Sequence, residues 1–150
     1  DLSGKSALFL ACKSESLPTI RVLLEYGASV NKPDFRGRTA LHAAASSGTR
    51  DIVRLLFAEG ADVEAKSDTG MRPLHEAALG GWTEIVEEFL ETGATVYALD
   101  MSRQTALHHA CRSSNSCIDL LKVLLHHGAD REAEDDQGQL PLHLAAKKGN

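Results

Sequence analysis

The chain has 150 residues, of which 43% are hydrophobic, 25% charged and 5% aromatic. It is long enough for one or two small globular domains and too apolar to be disordered. With 12 glycines and 4 prolines it is not collagen-like, and it contains no run of about 18 apolar residues that would span a bilayer. The net charge of −5 makes nucleic acid a poor candidate partner, because phosphates repel an acidic chain.

The amino terminus and the cysteines indicate whether the chain is part of a longer protein and in which cellular compartment it is found. It begins at Asp1 without an initiator methionine or a signal-peptide pattern, so we expect a segment of a longer protein. The cysteines are odd in number and form no C-x-x-C pair, which argues against a disulfide framework and a structural zinc site. We therefore expect an intracellular protein, cytoplasmic or nuclear. The three cysteines are Cys12, Cys111 and Cys117.

A repeated block organises the whole sequence. A leucine and a histidine followed by small residues recur, with the central position occupied by Phe9, His42, His75, His108 and His143. The spacings between these positions are 33, 33, 33 and 35 residues. A Gly-Ala pair keeps the same rhythm and begins at Gly27, Gly60, Gly93 and Gly128. Two markers in phase establish a repeat of about 33 residues.

Each copy predicts two short helices and a turn. The first helix begins after a capping threonine, as at Thr39, or with a proline at its first position, as at Pro73, and it ends at a glycine such as Gly48. The second helix has apolar residues at three- and four-residue spacing and ends at the Gly-Ala pair. A polar stretch, such as residues 62–70, then predicts a projecting turn or hairpin.

The period, the Leu-His block and the Gly-Ala pair together resemble the ankyrin repeat. The resemblance implies an all-α repeat solenoid of helix-turn-helix units with projecting β-hairpin fingers. We expect a single ankyrin-repeat domain over 1–150, with repeats at about 1–33, 34–66, 67–99 and 100–134 and a partial repeat at 135–150. Because one unit cannot bury its apolar face alone, we expect this domain to be a fragment of a longer array.

The residue types that usually carry chemistry have structural explanations here. The repeated histidines are expected to hydrogen-bond backbone near their own or the next turn, as the family resemblance implies. His75 and Glu76 begin like a zinc-protease motif, but the second histidine is missing, because the position is Leu79. No phosphate-binding loop or nucleophile elbow occurs. We therefore predict no enzymatic activity, no metal site and no cofactor.

The cysteines follow the same logic. Cys12 and Cys111 occupy positions that are alanine in other repeats, so we expect inert thiols packed between helices. They are too far apart in the array for a disulfide. Cys117 lies in the two-residue expansion of repeat four, where it has no evident activating neighbour.

The family resemblance implies a concave face made of the turns and the ends of the first helices, on which a partner binds. The positions on this face that vary between copies are basic and partly apolar, whereas the second helix of repeat three carries glutamates at 84, 87, 88 and 91. We therefore predict a protein-interaction module, a scaffold or adaptor, that binds an acidic, partly apolar peptide or protein surface. The predicted partner-binding residues are Phe35, Arg36, Arg38, Met71, Arg72, Leu79, Trp82, Met101, Arg103, Gln104 and Arg112.

Three of these residues depart from the repeat pattern. Arg72 replaces the capping threonine, Arg103 replaces the turn glycine, and Trp82 stands where the family favours histidine. Residues that break a local rule often have a function, and plain sequence drift is the alternative explanation.

Other interpretations remain open. The array could be an intramolecular spacer or a regulatory cover for other domains of its own chain, although we expect a monomeric unit that binds another protein and neither nucleic acid nor membrane. The resemblance also suggests Asn31 as a hairpin asparagine of the kind that is hydroxylated in ankyrin repeats.

Overall fold

The computed structural model describes residues 3–113 and 118–148 of the chain. Within these ranges all regular structure is helical, and no strand is present. The helices are α1 (Ala7–Lys13), α2 (Leu17–Glu25), α3 (Ala40–Ser47), α4 (Arg50–Ala58), α5 (Pro73–Gly80), α6 (Thr83–Glu91), α7 (Ala106–Arg112), α8 (Ile118–His126) and α9 (Pro141–Lys148). The predicted succession of helix pairs is confirmed.

The helices stack in two layers. The first helices of the repeats, α1, α3, α5, α7 and α9, pack side by side in one row, and the second helices pack behind them, with α6 between α4 and α8. Small residues allow the first row to pack closely: Ala44, Ala77 and Ala110 are completely buried. Leucine and isoleucine side chains from both rows fill the core between the layers, and each contributes roughly 1.5–3 kcal/mol of hydrophobic stabilisation.

The two described cysteines belong to this core. Cys12 and Cys111 are buried, as expected from the alanines at the equivalent positions. Burial raises the pKa of the Cys12 thiol to about 12, so the reactive thiolate is not formed at neutral pH. Cys117 lies outside the described residues.

Buried histidines join repeat two to repeat three and repeat four to repeat five. The backbone N–H of Thr39 donates to Nδ1 of His42, and Nε2 of His42 donates to the carbonyl of Met71 in the following finger, both at 3.1 Å. The two bonds require the neutral tautomer with its proton on Nε2. His108 makes the same pair of bonds, to Thr105 and to the carbonyl of Gln139. The expected structural role of these histidines is confirmed.

The fingers are tight turns rather than β-hairpins. In the finger of repeat two, Oδ1 of Asp34 accepts from the backbone N–H groups of Arg36 and Arg38, and the N–H of Asp34 donates to the carbonyl of Arg38. Its two arms share too few backbone pairs to form a ladder. Neighbouring fingers are joined in a row by single backbone bonds, such as the 2.8 Å bond from Asp68 N–H to the carbonyl of Arg36.

Each of these turns needs a residue with left-handed backbone conformation, at positive φ, as the fourth of its five residues. Gly37, Gly70 and Gly138 fill this position with φ between +67° and +74°. Arg103 fills it in repeat four with φ +58°, so it occupies the same turn as the glycines it replaces. A Cβ placed on Gly70 would lie 2.8 Å from the backbone nitrogen of Met101, which shows how closely consecutive fingers approach.

The substitution Arg103→Gly should therefore stabilise the protein. Relief of the left-handed strain, about 1–2 kcal/mol, exceeds the entropic cost of glycine, so we expect a gain of about 0.5–1 kcal/mol in the free energy of unfolding. Arg103→Ala is the matched control, because it removes the same guanidinium and keeps the Cβ. Equal urea denaturation curves for the two variants would contradict the strain.

Candidate partner-binding site

Nine of the eleven predicted partner-binding residues belong to the fingers or to the first helices, and the other two, Arg72 and Trp82, are the residues that precede α5 and α6. We call the surface of these elements the finger face: it consists of the fingers at 34–38, 67–71, 100–104 and 135–139 together with the first helices. Seven of the eleven predicted residues are exposed, three are partly buried and one is buried. The exposed ones are Phe35, Arg36, Leu79, Trp82, Met101, Arg103 and Arg112; the partly buried ones are Arg38, Met71 and Arg72; the buried one is Gln104.

Large apolar side chains stand at two fingertips. Phe35 and Met101 are 77% and 74% exposed. The ring of Phe35 lies against Gly4, where a Cβ would overlap it, so the ring is supported on one side. Arg36 and Arg103 lie one and two residues further along the same fingers, and both are exposed. The fingertips therefore offer apolar anchors with cations next to them.

A groove of about 340 Å³ runs between the fingers of repeats two and three. Its lining includes two arginines, Arg36 and Arg38, and two acidic residues, Asp68 and Glu76. Nη2 of Arg38 lies 3.3 Å from Oε1 of Glu76, so one of the two arginines is already paired within the protein. The groove therefore has both signs of charge, with Arg36 as its more exposed cation.

Arg72 has a structural partner. Its Nε lies 2.7 Å from Oε2 of Glu64, and its side chain is only 15% exposed. The backbone N–H of His75, from which a threonine hydroxyl would accept, donates instead to the carbonyl of Arg72 at 2.9 Å. The backbone N–H of Arg72 donates to Nδ1 of His75 at 3.0 Å, as the capping threonines do in other repeats. The start of α5 therefore needs no hydroxyl, and the guanidinium connects repeat three to repeat two.

Trp82 also joins two repeats. Its Nε1 donates to the carbonyl of Ser46 at 3.3 Å, and its indole covers Gly48 and Gly80, where a Cβ would overlap the ring. The side chain is still 37% exposed. Trp82 therefore fixes the end of α3 and presents one edge of the indole to solvent.

Gln104 and Arg112 are engaged with each other and with repeat five. Nε2 of Gln104 donates to Oδ2 of Asp135, and its Oε1 accepts from Nη1 of Arg112, both at 3.0 Å. Gln104 is 8% exposed, so a partner would reach it only after these bonds open. Asn31 is similarly occupied, because its amide donates to the carbonyl of Gly60 and accepts from the N–H of Asp62.

The second helices are less acidic than the sequence suggests. Glu88 is buried and is paired with both Arg50 and Arg54, and Glu84 accepts from Arg50 at 2.7 Å. These ion pairs connect α4 to α6 and neutralise much of the local negative charge. The contrast between a basic finger face and an acidic opposite face is therefore weakened at repeats two and three.

A buried polar cluster at the junction of repeats three and four was missed by the sequence analysis. Nε2 of His109 lies 2.9 Å from Oδ2 of Asp100, and the ring centroids of His109 and His75 are 5.3 Å apart. Nε2 of His75 donates to the carbonyl of Ala98. The adjacent histidines at 108 and 109 were the available signal, since no other copy has a histidine at the second of these positions.

The cluster shifts two pKa values. Burial, together with the neighbouring His109, lowers the pKa of His75 to about 4. Burial alone would raise the pKa of Asp100, but the hydrogen bonds from His109 and from the backbone of Gln104 lower it below its usual value. Among the described residues, no group of three or more histidine, cysteine, aspartate or glutamate side chains is placed to hold a metal ion.

Displacing the indole should be visible in fluorescence, because Trp82 is the only tryptophan of the chain. We expect Gly48→Ala to push the ring into solvent, which shifts its emission to longer wavelength and lowers the free energy of unfolding. Gly27→Ala is the matched control: Gly48 and Gly27 have φ of +79° and +80°, but a Cβ on Gly27 would have no atom within 4 Å. An unchanged emission in Gly48→Ala would contradict the contact.

The shifted pKa of His75 predicts an acid-sensitive fold. Between about pH 6.5 and 4 the unfolded chain binds a proton that the folded His75 excludes, so stability falls as the pH falls. With these two values His75 contributes a loss of about 2 kcal/mol between pH 7 and pH 5. Urea denaturation of His75→Gln at the two pH values should show a smaller difference than the wild type, whereas His127→Gln, at an exposed position, should not. A full wild-type difference in His75→Gln would refute the assignment.

Comparison with known families agrees with the architecture. A family model described as ankyrin repeats matches the chain in three copies, at residues 1–67, 59–135 and 97–150. The matches together cover the whole chain. A comparison with curated proteins found no match. No helix of the described part is long and apolar enough to cross a membrane.

Proposed function

Since the chain belongs to the ankyrin-repeat family, we propose that its finger face binds an acidic, partly apolar peptide or protein surface. Ankyrin repeats are generally protein-protein interaction modules, and the family is typically non-enzymatic. The observation that carries the proposal is the pairing of exposed apolar fingertips with cations, Phe35 with Arg36 and Met101 with Arg103.

Apolar side chains at the fingertips supply anchors, and the arginines beside them supply charge. A large apolar side chain gains most when a partner removes it from water, and Phe35 and Met101 have most of their surface still to lose. Arginine beside such an anchor adds charge-assisted hydrogen bonds to carboxylates and steers an acidic partner to the surface. Arg36 and Arg103 are the arginines best placed for this.

The remaining predicted residues have graded roles in this proposal. Leu79 and the exposed edge of Trp82 extend the apolar surface onto α5 and its end. Arg38, Met71, Arg72, Gln104 and Arg112 shape the surface mainly through contacts within the protein. We propose that the domain acts as a monomeric unit of a longer chain in the cytoplasm or nucleus, where its two buried thiols stay reduced.

The proposal can be tested without a known partner. A display library of random 12-residue peptides is selected on the wild-type protein, and the affinity of enriched peptides is measured by fluorescence anisotropy. We expect acidic peptides with apolar residues, and at least tenfold weaker binding to the double variant Arg36→Glu, Met101→Ser. Circular dichroism should show the same helical content as in the wild type, because both side chains are exposed.

The control is Arg21→Glu with Tyr26→Ser, which makes the same change of charge and removes an exposed aromatic side chain directly after the second helix of repeat one. This control should bind like the wild type at 150 mM salt, where charges more than about 8 Å apart are screened. Equal losses in both double variants, or enriched peptides without acidic residues, would refute the proposal. Failure to enrich any peptide would favour the intramolecular spacer instead.

A further inference from the structure

A second pocket on the finger face lies at the junction of repeats one and two. It has a volume of about 230 Å³. Three of its lining residues are cationic and two carry hydroxyl groups, and none of them is acidic. The lining residues are Lys5, Phe9, Lys13, Arg38, Ala43, Ser46 and Ser47. Only Arg38 among them belongs to the partner-binding set predicted from the sequence.

One residue that departs from the repeat pattern, Phe9, lines this pocket. Phe9 stands where the other repeats have histidine, so it cannot donate to a carbonyl of the following finger as His42 does. Instead, two cations lie over its buried ring: Cζ of Arg38 is 5.7 Å and Nζ of Lys5 is 6.0 Å from the ring centroid. Both distances are within the roughly 6 Å at which a cation-π contact forms. Positive charge therefore lies next to the ring of Phe9, at a position that is a histidine in the other repeats.

The pocket is rich in donors. Lys13 is exposed at the end of α1 and has no ion pair with any residue the structure describes. Arg38 contacts Glu76 through Nη2, while its Nε has no hydrogen-bond acceptor in the described part of the chain. The hydroxyls of Ser46 and Ser47 likewise make no hydrogen bond with described residues, and Trp82 holds the backbone of Ser46 in place.

We propose that this pocket binds the anionic side chain of a peptide, and that its preferred ligand is the phosphate of a phosphoserine or phosphothreonine. The inference rests on the proposed function, because it assigns one anchor of the acidic partner. A phosphomonoester carries nearly two charges and three acceptor oxygens, which suit three cations and two hydroxyls better than the two oxygens of a carboxylate do.

The strength of binding follows from the opposing charges. Glu76 offsets part of the charge of Arg38, and the C-terminal ends of α1 and α3 each contribute about half a negative charge. Lys13 remains as an exposed cation that has no ion pair with a described residue. The pocket is also open to water, so a single anionic side chain is expected to bind in the millimolar range and to become effective as part of a longer peptide.

The direct test uses three acetylated and amidated pentapeptides, Gly-Gly-X-Gly-Gly, in which X is phosphoserine, glutamate or glutamine. They are titrated into ¹⁵N-labelled protein at pH 7.5 and followed by amide chemical shifts. We expect saturable shifts at Lys13, Ser46 and Ser47 with phosphoserine, at least threefold weaker binding with glutamate, and no saturation with glutamine. Binding should weaken as salt is raised.

Two lysine variants make a matched pair. Lys13→Gln removes a pocket cation, and Lys32→Gln removes an exposed lysine outside the pocket lining. We expect at least fivefold weaker phosphoserine binding in the first and wild-type binding in the second. Phe9→His, which restores the repeat residue and removes the aromatic ring beneath the cations, should also weaken binding while circular dichroism confirms folding.

The outcomes separate this inference from the proposed function. Equal weakening in Lys13→Gln and Lys32→Gln, or shifts centred elsewhere, would overturn the pocket. Glutamate binding as tightly as phosphoserine would overturn the preference for phosphate. If display-selected peptides lose affinity with the Arg36 and Met101 changes but the pentapeptides do not bind, the proposed function stands and the anion pocket fails. If the pentapeptides bind but no 12-residue peptide is enriched, the anion pocket stands and the proposed function fails.

Discussion

The architecture depends on a hydrogen bond that crosses from one repeat to the next. A buried neutral histidine accepts from the backbone N–H of the residue that caps its own helix and donates to a carbonyl of the following finger, as His42 and His108 do. Without the bond to the finger, Nε2 of the completely buried histidine would lack a partner among the described residues, at a cost of about 1–3 kcal/mol. The bond therefore ties the fingers at 67–71 and 135–139 to the helix before each of them.

The places where the repeat pattern fails show how the structure compensates. Arg72 keeps its helix start through His75 and uses its guanidinium to reach Glu64. Trp82 fills the space above Gly48 and Gly80. The side chain of Arg103 has no hydrogen bond or ion pair with a described residue, and its backbone keeps the strained conformation of the glycine turn. The same kind of departure can therefore add a link between repeats or simply cost stability, and the contacts distinguish the two cases.

The cost of burying charge explains where the polar groups of the finger face are available. Side chains between neighbouring repeats, such as Gln104, Arg72 and Arg38, are drawn into pairs because an isolated polar group there would be penalised. Side chains at the fingertips remain in contact with water and have no such desolvation cost, so they are accessible to a partner. The proposed recognition surface is accordingly a row of tips and one cationic pocket, rather than the whole set of variable positions.

The sequence by itself determined the fold, because the 33-residue period, the Leu-His block and the Gly-Ala pair are local signals repeated in phase. It also determined that His42, His75 and His108 are scaffold residues, since they share one repeated position. It did not determine which variable residues are accessible. Three features depend on contacts between residues of different repeats or of different elements, which only the stacked structure brings together. They are the burial of Gln104, the His109–Asp100 pair and the cations over Phe9. Pairings of this kind depend on distance in space, which a repeat pattern along the chain does not contain.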